Sequence, residues 1–307
     1  MKRNIYSYSK LWMIFFVLMG AACTNQVEDA IPVSGQPIGF SVQSDWKEIL
    51  NTRSNDKTQF GPNDEIQIFG FHKPFQGAGE NVQFMYQEGD PTTGQKVVYN
   101  GKDWDYTPKR FWPKKGVLDF FASYPYNSIH YDVGNKRMTY ENHLTQDLLY
   151  GLATNRDCAS KQPVEIWMVH ALAKVKIILD KSLGDIGQVT VSGYKTGHFS
   201  PINNGVPDWN IDDVNTHIYA DFRKYEGKVD EELKNNNSVT VFILPDKITG
   251  LKMWNSDRQE IDASEEIKKH TFLAGKVYNL TISKSNGVRK KNTNSRSIAM
   301  SVRCVSE

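Results

Sequence analysis

Short runs of alternating apolar and polar residues dominate this 307-residue chain, and helical periodicity is scarce. Ile38, Phe40 and Val42 alternate with Gly39, Ser41 and Gln43, which predicts a half-buried strand. The 45–51 segment predicts one helical turn, with Asp45 as its cap. A Gly61-Pro62-Asn63-Asp64 turn leads into an apolar strand over 66–71. Short strands are expected over 82–87 and 96–99, and Asn100-Gly101 signals a two-residue hairpin before Trp104 and Tyr106. Leu118, Phe120, Ala122 and Tyr124 define another strand, which Pro125 stops. The 127–142 stretch reads as a long connection or a weak hairpin, and the apolar 147–153 segment fits no single period.

Over 164–179 the pattern changes phase. Val164, Ile166, Met168 and His170 share one phase, while Ala171, Ala173, Val175, Ile177 and Leu179 keep the other. That predicts a bulge or a bend between two strands, with a domain boundary close by. Strand patterns continue through 189–191, 218–222, 239–244, 251–254 and 277–282, and 230–237 reads as a charged loop or short helix. Many short strands with turn residues between them favour sandwiches over a barrel. The expected layout is a leader over 1–22, a spacer over 23–37, β-sandwiches over 38–163 and 164–283, and a tether with a terminal strand over 284–307.

The leader is defined by its own pattern. Lys2, Arg3 and Lys10 precede an unbroken apolar run over 11–19, too short to span a bilayer, and then Gly20, Ala21, Ala22 and Cys23. This is the layout of a signal peptide ending in a relaxed lipobox, with Cys23 as the residue to be acylated; the alternative is a plain secretory leader that leaves Cys23 a free thiol. Removing the leader takes Lys+Arg from 37 to 34 against 35 Asp+Glu, a side-chain net charge of −1. A near-neutral mature chain makes no electrostatic case for nucleic acid. Cys158 and Cys304 are then the remaining cysteines, and two unpaired thiols are favoured over a disulfide.

The search for chemistry finds no HExxH, CxxC, GxSxG, phosphate loop or GxGxxG, so no enzyme activity, cofactor or metal site is expected. Asp212-Asp213 and the Asp103/Asp105 pair read as solvated loop acids, and His170, in an apolar strand, as a core or interface histidine. Trp104, Tyr106, Trp112 and Trp209 offer a minority reading as a sugar-binding face, against the commoner role of aromatics in core packing.

Several pieces occur in a specific order: Ile38-Gly39-Phe40-Ser41-Val42, Thr52-Arg53-Ser54, the run from Phe60 to Gly70, Tyr99-Asn100-Gly101-Lys102-Asp103-Trp104, Arg110-Phe111-Trp112-Pro113, Leu118-Asp119-Phe120-Phe121-Ala122, His170-Ala171-Leu172-Ala173 and Ala274-Gly275-Lys276-Val277-Tyr278. Over roughly 38–283 the chain resembles the fimbrillin-like (Mfa-like) lipoproteins of Bacteroidales, subunits of surface pili. The resemblance implies an all-β fold of two tandem transthyretin-like Greek-key β-sandwich domains. It also implies a palmitate-bearing precursor at the outer membrane, anchored through Cys23, and other fimbrial subunits as partners. In polymerising members an arginine-specific protease cuts after the first strand, and another subunit's C-terminal strand fills the vacated groove. Carried over, Arg53 and Ser54 flank the cut, and Ile38, Phe40 and Val42 belong to the displaced strand.

The tail departs from this plan. The 284–295 stretch is polar and basic, and then Ile298, Met300, Val302 and Cys304 alternate with small or polar residues. Ser301-Val302-Arg303-Cys304-Val305 resembles the ending of a different, longer Bacteroidetes surface module, of which only a final strand has room here. This strand reads either as a donor offered to another molecule or as the last strand of its own domain. The alternative to a pilus subunit is a lipidated surface protein that binds glycan or a host ligand without polymerising.

Overall fold

A computed structural model describes residues 31, 33–44, 59–73, 82–201, 205–284 and 300–306. Its first half contains β1 (Val33–Pro37), β2 (Phe40–Ser44), β3 (Glu65–Lys73), β4 (Val82–Met85), β5 (Gln95–Tyr99), β6 (Trp104–Asp105), β7 (Phe111–Pro113), β8 (Val117–Tyr124), β9 (Ile129–Asp132), β10 (Arg137–Glu141), β11 (Leu149–Asp157) and β12 (Val164–His170). The second half contains β13 (Ala173–Leu179), β14 (Ile186–Tyr194), β15 (Thr196–Phe199), β16 (Asn210–Ile211), β17 (His217–Arg223), β18 (Ser238–Ile243), β19 (Ile248–Asn255), β20 (Glu260–Asp262), β21 (Val277–Lys284) and β22 (Met300–Ser306). Two short helices interrupt it, α1 (Glu231–Asn236) and α2 (Ser264–Ile267). The Asp230 carboxylate caps α1 by accepting the Leu233 N–H at 2.8 Å, so the charged 230–237 segment is a short helix.

In the second unit, sheets β18-β13-β21-β22 and β17-β14-β19-β20 bury one core between them, including Val175, Ile177, Val191, Leu251, Met253 and Leu280. This is a two-sheet sandwich. The first unit differs, because its ladder runs β3-β5-β6-β2-β12-β11-β8 and returns to β3. The nine-residue β3 makes this closure: one edge takes β5 and then β4, and the other takes β8. At the β3–β8–β11 junction the buried Asp119 carboxylate accepts the Asn155 N–H at 2.7 Å and pairs with the Lys73 ammonium.

Several local expectations change. Part of the 23–37 spacer is the strand β1, paired antiparallel with β7. Asn100 and Gly101 sit in a four-residue connection, since β5 and β6 pair at Tyr99 and Trp104; the Asn100 side chain accepts the N–H groups of Lys102 and Asp103. The 147–153 segment leads into β11, where Leu149, Tyr150 and Gly151 are all buried and no alternation can show. Gly151 is required by close approach, because a Cβ there would fall 2.6 Å from the Trp167 carbonyl oxygen. Val164–His170, assigned from the pattern to the second unit, pairs with β2 and β11 of the first. The phase change at 170–173 is the bend where the chain leaves one ladder and enters the other. The 45–51 helical turn lies outside the described residues.

The 127–142 stretch is a hairpin, β9–β10, and its outer partner comes from the second unit. Sheet β16-β15-β10-β9 joins the halves through four antiparallel pairs between β10 and β15. Beneath it lies a third core of Phe69, Phe121, Tyr140, Tyr150, Phe199 and Leu244. Phe199 packs edge-on against Tyr150 and Trp209, with ring centroids 4.9 and 4.8 Å away. The Trp209 indole N–H donates to the Ala171 carbonyl at 2.7 Å, which ties this core to the crossing segment.

Phe199→Ala is expected to lower stability by ~3–5 kcal/mol, read as a reduced midpoint in guanidinium unfolding. Cys158 is a free, buried thiol whose pKa burial pushes up to about 11. In a Cys304→Ser background it should resist a thiol reagent at pH 8 until denaturant is added, measured by mass spectrometry.

Candidate functional site

β2 and the two residues before it are built for burial on one face. Ile38, Phe40 and Val42 are 1%, 7% and 8% exposed, while Ser41, Gln43 and Ser44 lie nearer the surface. The Phe40 ring stands edge-on to Phe120 at 5.4 Å and tilted to Tyr106 at 5.7 Å. The Ile38 N–H donates to the Arg110 carbonyl at 2.8 Å, and the Ile38 carbonyl accepts the Tyr106 hydroxyl at 2.9 Å. Burial pushes that hydroxyl's pKa up to about 12, so it stays a donor at neutral pH.

Backbone support for β2 is unequal. On one side it runs parallel to β12 through five pairs, from Phe40 opposite Val164 to Ser44 opposite Met168. On the other, among the described residues, it makes the single pair Phe40–Trp104 with β6. Beyond that pair a groove of about 560 Å³ separates it from Phe60, Tyr99, Lys102 and Trp104. The second unit supplies a comparison, since its first strand, β13, also runs parallel to the last strand of its sandwich core, β21. There, six pairs with β21 are matched by six with β18. Among the described residues, the strand expected to be displaced thus has one edge that is nearly unpaired, yet its apolar face is fully seated.

The terminal strand is also marginal in position. Among the described residues, β22 is the outermost strand of β18-β13-β21-β22, antiparallel to β21 over seven pairs. Met300, Val302 and Cys304 stand opposite Lys284, Ile282 and Leu280. In this arrangement the tail closes its own sheet. Cys23, Arg53, Ser54 and Ile298 lie outside the described residues.

The aromatic set considered for sugar binding does not form a face. Trp104, Tyr106 and Trp112 are buried in the first core, and Trp209 is half-buried in the core between the units. The paired acids are separately satisfied. Asp105 binds Lys109, which with the Tyr106 N–H holds its carboxyl below the usual range. Asp213 accepts from Thr216 and Asn215, which likewise depress its pKa, while Asp212 contacts His198 Nδ1 at 2.6 Å. His170 is buried beside Asp147, with Nδ1 2.6 Å from its carboxylate. No group of three or more metal-type side chains gathers among the described residues.

Trp167 escaped the sequence reading. It is 55% exposed on β12 and stands opposite Gln43 of β2 on one side and Leu152 of β11 on the other. Its signal was an aromatic on the polar phase of a strand whose other phase is Val164, Ile166 and Met168.

A family model described as fimbrillin-like matches residues 52–299, a span that leaves β2 and β22 just outside. Among solved structures, a proposed cell adhesion protein from Bacteroides uniformis aligns at TM-score 0.52 and 14% identity, covering 88% of this chain and 97% of its own. Another from Bacteroides ovatus aligns at 0.49 and 14%, covering 89% and 96%. The tip fimbrial protein Mfa3 from Porphyromonas gingivalis, with a C-terminal truncation, aligns at 0.40 and 7%, covering 80% and 95%. At these identities the likeness concerns the fold. No curated protein matches the chain. The family match covers well over half of the residues, and the chain belongs to the fimbrillin-like family.

Proposed function

We propose that this chain is a structural subunit of a cell-surface fimbria, made as a lipoprotein precursor and assembled by strand exchange. Cys23 carries the acyl chains that hold the precursor at the outer membrane. Cleavage after Arg53 frees the segment containing β1 and β2. The groove it leaves is filled by the C-terminal strand of another subunit.

The observation that carries this reading is the one-sided support of β2. Burial of Ile38, Phe40 and Val42 contributes ~1.5–3 kcal/mol each, so an intact precursor keeps the strand. Once the chain is cut behind it, the segment is held by the β2–β12 ladder, the short β1–β7 pairing and the single Phe40–Trp104 pair, and can leave as a unit. The slot then exposes Phe120, Val164 and Ile166, together with the unpaired edge of β12, a surface that selects for another strand. An incoming strand supplies both apolar cover and ladder hydrogen bonds.

Treatment of the purified full chain carrying Arg289→Lys, Arg296→Lys and Arg303→Lys, which shield the tail, with an arginine-specific protease should cut after Arg53 and yield a ladder of oligomers on gels, whereas adding Arg53→Ala should abolish that cut and leave the chain monomeric. Unfolding without assembly after the cut, or equal assembly by Arg53→Ala, would overturn the reading. In cells fed labelled palmitate, Cys23→Ser should lose the label and leave the membrane fraction; retention of label would remove Cys23 as the anchor.

A further inference from the structure

The chain's terminal segment repeats β2 and the two residues before it. Ile38-Gly39-Phe40-Ser41-Val42-Gln43-Ser44 aligns without a gap on Ile298-Ala299-Met300-Ser301-Val302-Arg303-Cys304. Ile, Ser and Val recur at the same places. Gly and Ala are both small, Phe and Met both large and apolar, and Ser and Cys differ by one atom. The apolar phase is kept in either chain direction, but the identities favour one: reversed, Ser301 alone still meets its like, Ile298 falls on Ser44 and Arg303 falls on Gly39.

From this match we infer that the slot left by β2 receives the terminal strand of a second copy of this chain, parallel to β12, with Met300, Val302 and Cys304 in the places of Phe40, Val42 and Ser44. The inference rests on the strand-exchange reading and adds the partner, the direction and the register. The slot was shaped around β2, so a tail built on the same pattern fits it without repacking Phe120 or Tyr106. The fifteen residues from 285 to 299 span up to ~50 Å when extended, enough to reach a neighbouring molecule.

One position changes character between the two segments, Gln43 against Arg303. Gln43 stands opposite Trp167. A row of cross-strand partners leads there from the core between the units: Phe121, then Leu152, then the exposed Trp167. In the inferred register Arg303 lies beside that indole, where a guanidinium stacks well on an aromatic face. The incoming copy thereby gains a contact that the departing strand lacks, which biases the exchange towards assembly.

The test uses the full chain carrying Trp167→Cys, Arg303→Cys and Cys304→Ser, with Cys23→Ser to remove a competing thiol and Arg289→Lys and Arg296→Lys to shield the tail, cut by the arginine-specific protease and mildly oxidised. Register partners on adjacent strands lie within disulfide reach. A covalent ladder of multimers is expected from this variant, with loss of the ladder when cysteine is placed at Ser301 or Val305 instead, and none before the cut. Assembly with cross-linking from position 301 or 305 would overturn the register while leaving strand exchange standing. Failure of cut chains to assemble at all would overturn the strand-exchange reading and this inference with it. In the second variant, Val302→Asp, the chain should accept a wild-type tail but donate none, capping growth at one end; undiminished growth of Val302→Asp alone would also overturn the inference.

Discussion

The parallel ladder between β2 and β12 is the interaction on which the first unit depends. It closes the ring of strands, seats Ile38, Phe40 and Val42, and is met on its far side by one residue pair. A strand so placed has apolar burial typical of a core element and backbone pairing typical of an edge. Apolar burial is insensitive to direction and chain identity, whereas ladder hydrogen bonds need a continuous strand in register. The combination suits an element that one chain supplies first and another later.

The second unit shows the alternative solution to the same geometry. Its first strand, β13, also runs parallel to its unit's last core strand, but β18 covers its other edge in full. At the rim of that sheet, among the described residues, lies β22. Among the described residues, β2 and β22 are therefore each fully paired along one edge only. Between the units the β10–β15 pairing and the Phe199–Tyr150–Trp209 cluster join the halves.

Much of the fold was legible from period-2 alternation wherever a strand has one buried face, as in β2, β12, β13 and β21. It failed where that condition fails. Leu149, Tyr150 and Gly151 are buried on both faces, so their run of apolar residues has no period. The β9–β10 hairpin looked weak because its stabilising neighbour is β15, more than fifty residues away in sequence. β1 was invisible because a Pro-bearing, exposed strand has no apolar phase to read. The aromatics weighed as a binding face turned inward, while the one that stays out, Trp167, sat unnoticed on a polar phase.

By itself the sequence determined the class of fold, the family resemblance, the apolar phase of the first strand and the matching phase of the last, because these depend only on side-chain order along the chain. Tertiary structure alone decided which strands lie beside which. Among the described residues, it closed the first ladder, left one flank of β2 nearly unpaired, set the tail at the rim of its own sheet and put Trp167 next to the strand expected to leave. Pairing partners are chosen by contacts between distant segments, and a local alternation of side chains is the same whichever neighbour completes the ladder.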